Sequence, residues 1–164
     1  MSARTRGVAV SALAVALTAG CSSTVTVDDP PRLQGADARA CAAFVDALPD
    51  TLAGQPRRAV EPEGAPVAAY GDPAITVTCG GSMPPGFDRF ATCDEVDGVG
   101  WYLPTDQLGD PSQEAVDATL GTVDWRPVVA LDVPADYRPE GLAAALSELA
   151  GPVKRSLERG RPCV

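Results

Sequence analysis

The chain contains no histidine and a single lysine, Lys154, among 164 residues, and these two scarcities exclude more than any motif asserts. Without histidine there is no Ser/His or Cys/His catalytic pair, and the commonest metal ligand is missing. With 22 acidic against 13 basic side chains and a net charge of −9, the chain lacks the basic stripe that phosphate affinity needs, so nucleic acid is not an expected partner. Aromatic residues are few as well, at 5%. Apart from one short segment near the start, no apolar run approaches the roughly 20 residues needed to span a bilayer.

That short segment is the first informative feature. Arg4 and Arg6 give a positive start, Val8 to Leu17 is uncharged and apolar, and Leu17-Thr18-Ala19-Gly20-Cys21 follows directly. This is the architecture of an export signal over residues 1–20, too short for a permanent membrane helix. The Leu-Thr-Ala-Gly-Cys segment resembles the lipobox of bacterial lipoproteins, in which a cysteine thiol receives diacylglycerol and becomes the mature N-terminus; here that residue is Cys21. Thr18 departs from the pattern, which usually has a branched aliphatic residue there. The competing reading is ordinary cleavage near Ala16 or Ala19. Cysteine parity favours lipidation, because five cysteines in an exported chain leave one over. With Cys21 modified, Cys41, Cys79, Cys93 and Cys163 can close two disulfides. Loss of residues 1–20 removes two arginines and no acid, leaving 11 basic against 22 acidic side chains and a charge of −11. Such a charge does not adhere to anionic headgroups, so the lipid would be the means of membrane attachment.

Residues 21–36 are rich in small, polar and proline residues without a helical period, and read as a flexible tether. A single domain is expected over residues 37–164. Asp37 can cap a helix through Leu48 with Cys41, Phe44, Val45 and Leu48 on one face. Prolines 56, 62, 66 and 73 divide the next stretch into short pieces, Arg57 to Glu61 and Val67 to Tyr70, expected as edge strands or loops. Ile75 to Cys79 alternates strictly and reads as a strand. Asp97-Gly98 has the turn chemistry of a two-residue hairpin between Cys93–Val96 and Val99–Leu103. Glu114–Thr122 and Val128–Val133 alternate and suggest a second hairpin. From Pro139 the spacing of Leu142, Leu146, Leu149, Val153 and Leu157 is helical, with Gly151-Pro152 expected to kink or split the helix and Gly160 to end it. Together these predict an α+β domain: a small antiparallel sheet with an N-terminal and a C-terminal helix packed on one face, held by two disulfides.

Cys41 to Pro49, Gly54 to Arg58, Ala69 to Ile75 leading to Cys79-Gly80, Val96 to Trp101, and the closing Arg161-Pro162-Cys163-Val164 resemble, in order, the DUF3515 family of actinobacterial secreted proteins and lipoproteins. Tyr70 stands where that family often has tryptophan. The resemblance implies a cell-envelope location and brings no catalytic residue or cofactor with it.

The candidate sites are modest. The cysteines lack Cys-x-x-Cys spacing, so structural disulfides account for them better than a redox centre or zinc site. Cys41 with Cys79 is the favoured pair, both lying on apolar faces, which leaves Cys93 with Cys163; three pairings are possible from sequence. Arg57 and Arg58 are a candidate anion-binding pair, with the protein's own carboxylates as the competing partners. Asp94, Glu95 and Asp97 do not fit a calcium loop, and a solvated hairpin explains them. Trp101 is expected in the core and Trp125 in an exposed turn. No cofactor or metal is called for. The leading expectation is a lipid-anchored, non-enzymatic module at the extracytoplasmic membrane face that binds another envelope protein or component. A carrier of an apolar ligand and a carboxylate-dependent envelope hydrolase are the alternatives, marked by an enclosed apolar cavity and by two facing carboxyl groups respectively.

Overall fold

In the computed structural model, which describes residues 24–88, 90–104, 107, 116–138 and 140–161, the chain runs β1 (Val25–Thr26), α1 (Gly35–Asp46), β2 (Thr51–Leu52), β3 (Gln55–Arg58), β4 (Val60–Glu61), β5 (Val67–Tyr70), β6 (Ile75–Cys79), β7 (Asp94–Val96), β8 (Val99–Tyr102), β9 (Ala118–Thr122), β10 (Trp125–Arg126), β11 (Val129–Val133), α2 (Glu140–Ser156) and β12 (Glu158–Arg159). Eight strands pair antiparallel in the order β2-β3-β5-β6-β11-β9-β8-β7. The class is α+β as expected, but the sheet is large rather than small. Of the short pieces between prolines, β3 and β5 join it, whereas β4 pairs with β1 apart from it.

Alternation explains the layering. In β6, Ile75, Val77 and Cys79 are fully buried while Thr76 and Thr78 point the other way. Cross-strand register carries the same face outward in both directions: Ala68 and Tyr70 lie opposite Val77 and Ile75, Val129 and Leu131 opposite Cys79 and Val77, and Leu120 opposite Leu131. These side chains share one apolar cluster with Phe44 of α1, with Leu48 just beyond its end, and with Ala145, Leu146, Leu149 and Val153 of α2. Each large member contributes about 1.5–3 kcal/mol of burial. The Cys41–Cys79 disulfide staples α1 to β6, with Cα atoms 5.4 Å apart.

On the opposite face, Met83 and Pro84 cover Gly121, where a side chain would meet Pro84 Cδ at 2.9 Å. Phe87 stacks edge-on against Tyr102 at 5.2 Å. Asp132 lies in this face with Oδ1 accepting from the Thr119 hydroxyl (2.8 Å) and Oδ2 from the Thr76 hydroxyl (3.2 Å).

Several expectations change. From residue 24 onward the segment expected as a flexible tether lies along the domain: β1 pairs in parallel with β4, and Leu33 packs on the core. The helix α1 begins at Gly35 and ends at Asp46, and Val45 is only half buried. β5 is interior, not an edge, because Pro66 and Pro73 flank it without entering it, and all four of its residues are buried. Pro152 sits within α2 without dividing it; burial of Leu149, Ala150, Pro152 and Val153 offsets the lost backbone donor. The helix stops at Ser156, four residues before Gly160, because Glu158 and Arg159 pair with Arg126 and Trp125. Trp125 is accordingly buried rather than exposed. The Cys41–Cys79 pair is as expected. Cys93 is also disulfide-bonded, whereas Cys163, like Cys21 and the segment expected as an export signal, lies outside the described residues.

Candidate functional site

Two surface hollows border the helices. The first, of about 360 Å³, lies beside α1 and is lined by Arg32, Leu33, Ala38, Ala42, Val45 and Asp46 together with Pro31 and the Gly64–Pro66 turn. Its form follows from the sequence. Ala38, Ala42 and Val45 recur at i, i+4 and i+7, a stripe beside the one that buries Cys41 and Phe44. Two of the three are alanines, so the helix surface is low there and the walls on either side stand above it. Gly64 adopts a φ of +78°, which lets the turn fold back against the helix. Leu33, Ala38, Ala42 and Val45 give the hollow an apolar patch within a mixed lining, and Arg32 and Asp46 add one charge of each sign.

The second hollow, about 460 Å³ and more open, lies between the end of α1 and α2 and is lined by Pro49, Thr51, Ser147, Glu148, Gly151 and Arg155, among others. Its Glu148 accepts a hydrogen bond from the Ala53 backbone at 3.0 Å and so serves the β2–β3 turn. Each hollow is lined by one carboxylate, where a carboxylate hydrolase needs a facing pair. Among the described residues no three histidine, cysteine, aspartate or glutamate side chains gather in a way that could hold a metal.

Arg57 and Arg58 are not brought together. They sit on successive β3 positions and therefore on opposite faces of the sheet. Arg57 turns toward the helices, donating to the carbonyls of Val45 (3.1 Å) and Leu48 (3.4 Å) at the end of α1. Arg58 donates to the Gly71 carbonyl at 2.7 Å and lies 3.5 Å from Asp72. Neither guanidinium points into the groove lining. Tyr70, opposite Arg57 in register, donates to the Pro49 carbonyl at 3.0 Å. Burial pushes its phenol above the ordinary value of 10.0, with Arg57 pulling the other way.

The hairpin acids likewise serve structure. Asp97 and Gly98 have φ of +49° and +81°, as a type I′ turn requires. The Asp97 carboxylate accepts from the Ser147 hydroxyl and its carbonyl from Lys154 Nζ (2.7 Å), fastening the hairpin to α2. Asp94 and Glu95 are exposed on the edge strand β7.

Two features escaped the sequence reading. The groove stripe is hidden because alanine gives no strong apolar signal. Asp124 is fully buried, its Oδ1 accepting from the Gly100 backbone (2.9 Å) and its Oδ2 3.7 Å from Arg159. Only the non-local pairing of β10 with β12 brings Arg159 there, also placing it over the Trp125 ring at 5.9 Å.

No curated protein and no solved structure matches this chain. Residues 5–162 match a family model described as a protein of unknown function, DUF3515, with the spaced motifs from Cys41 to Trp101 inside the match. The chain belongs to the DUF3515 family.

Proposed function

We propose that the protein is a lipoprotein of the extracytoplasmic membrane face, and that it works there as a non-enzymatic binding module. Residues 1–20 direct export, Cys21 becomes the lipid-modified mature N-terminus, and Cys93 pairs with Cys163 as a second cross-link. The domain takes a short segment of another envelope protein into the groove beside α1. That groove is the observation that carries the reading. Its mixed lining, an apolar patch from Leu33, Ala38, Ala42 and Val45 with one charge of each sign, suits one or two apolar side chains of a partner, held in register by polar contacts. An apolar-ligand carrier needs an enclosed cavity, whereas Phe44, Tyr70, Trp101 and Leu149 fill the space between helices and sheet. A carboxylate hydrolase needs a pair of carboxyl groups in one cleft, and each hollow is lined by one.

The test is site-specific photo-crosslinking in intact cells, with a photoreactive residue replacing Ala42 in the groove or Glu95 on the far edge of the sheet. A discrete adduct with one envelope protein from position 42 and none from position 95 is the expected result. Equal labelling from both positions, or none from position 42, contradicts the reading.

A further inference from the structure

The pairing of β1 with β4 fixes how the domain meets the membrane. The inference rests on the lipid at Cys21 and turns on the few residues between that anchor and β1. Val25 donates to the Ala59 carbonyl at 2.9 Å and Val27 to the Glu61 carbonyl at 2.8 Å. Further on, Leu33 is seated so closely over Gly80 that a side chain there would meet Leu33 Cδ2 at 2.6 Å. The chain is thus held to the domain at both ends of residues 25–33, and only Ser22, Ser23 and Thr24 separate the anchor from the first held residue.

The lengths decide the consequence. A free tether over residues 21–36 would let the domain stand off by up to ~50 Å, at 3.3 Å per residue. Four steps from Cys21 to Val25 reach ~14 Å at most. The headgroup layer of one leaflet takes up ~7 Å of that. Val25 and its partner strand therefore lie within several ångströms of the headgroup surface. We infer that the β1–β4 flank is the membrane-facing side of the domain, with a phospholipid surface as its partner. Charge does not draw it there, since Asp28, Asp29, Glu61 and Glu63 are exposed on this flank and Arg32 is paired with Asp29 at 3.4 Å. The covalent lipid and the strand pairing do it together. The opposite edge of the sheet is β7, five strand spacings beyond β5, or roughly 24 Å at 4.8 Å per strand.

The experiment uses the full lipidated chain in phosphatidylcholine vesicles containing a headgroup-labelled quencher lipid. A thiol-reactive fluorophore is placed at Glu61→Cys or Glu95→Cys. Quenching several-fold stronger at position 61 than at 95 is expected. In a Val25→Pro/Val27→Pro chain, which loses both β1 donors, quenching at 61 should fall to the level at 95. Val25 and Val27 lie outside the core cluster, so this variant should keep its circular dichroism and its Cys41–Cys79 bond. Equal quenching at the two positions, or quenching at 61 unchanged by the prolines, overturns the inference. A chain that fails to float with the vesicles overturns the anchor at Cys21 instead, which separates the two failures.

Discussion

Arg57 of β3 closes the C-terminal end of α1, its guanidinium donating to the carbonyls of both Val45 and Leu48 at 3.1 and 3.4 Å. The last carbonyls of a helix have no partner within it, and a cation placed there satisfies them and favours the helix dipole. Charge-assisted hydrogen bonds of this kind are worth about 1.5–3 kcal/mol. Arg57→Leu should lower stability by that amount in urea denaturation. Arg32→Leu, which breaks an ion pair between two exposed side chains, should cost under ~1 kcal/mol. Equal losses for the two variants would mean that Arg57 does not cap α1.

The Cys41–Cys79 bond closes a loop of 38 residues. In the chain-entropy model a cross-link of that span stabilises the fold by about 4 kcal/mol, a large part of the ~5–15 kcal/mol available to a domain. A Cys41→Ala/Cys79→Ala chain should show a midpoint well below the wild type under oxidising conditions. Reduction should bring the wild type down at least as far, and a wild type unmoved by reductant would contradict the account.

Asp124 joins three segments that are remote in sequence. Asp124→Ala strands the Gly100 N–H in the interior, at a cost of about 1–3 kcal/mol. Arg159→Gln takes a counter-ion from that buried carboxylate, but the arginine is half exposed and 3.7 Å away, so its loss should cost less than loss of the carboxylate itself. The two variants, compared by denaturant midpoint, should rank in that order.

Tyr70 gives the fold an alkaline limit. Burial raises its phenol above 10.0, so between the unfolded and folded values the native state holds the proton that the unfolded state has released. Stability is then fully present below pH 10 and falls as pH rises through the folded value. Tyr70→Phe should remove this part of the alkaline slope while losing about 1 kcal/mol at neutral pH with the Pro49 hydrogen bond. An unchanged slope in Tyr70→Phe, followed by thermal denaturation across pH 9–12, would assign the alkaline loss elsewhere.

What was legible in the sequence was local. The alternation of Ile75 to Cys79 places Cys79 on the apolar face and the helical period places Cys41 on another, which is why their pairing could be read in advance. Asp97-Gly98 specifies its own turn, and the spacing of Leu146, Leu149 and Val153 specifies the buried side of α2. What was not legible depends on partners remote in the chain. Glu158-Arg159 has no strand pattern of its own and becomes β12 only because Trp125-Arg126 stands beside it, which also ends α2 early and buries Trp125. Arg57 looks like a ligand-binding cation until α1 is seen to end above it. Residues 24–33 have the composition of a linker, and only the exposed edge of β4 turns them into a strap. The groove beside α1 is made by what Ala38 and Ala42 leave unfilled, a signal that apolar periodicity does not register.

The central claim is that Cys21 carries the lipid that holds this module to the membrane, and mass spectrometry of the N-terminal peptide of the protein purified from its own membrane fraction tests it most directly. The account predicts a mature chain beginning at Cys21 with a diacylglyceryl thioether on that residue, and a Cys21→Ala chain absent from the membrane fraction. A mature N-terminus elsewhere, or an unmodified Cys21 thiol in membrane-bound protein, would contradict it.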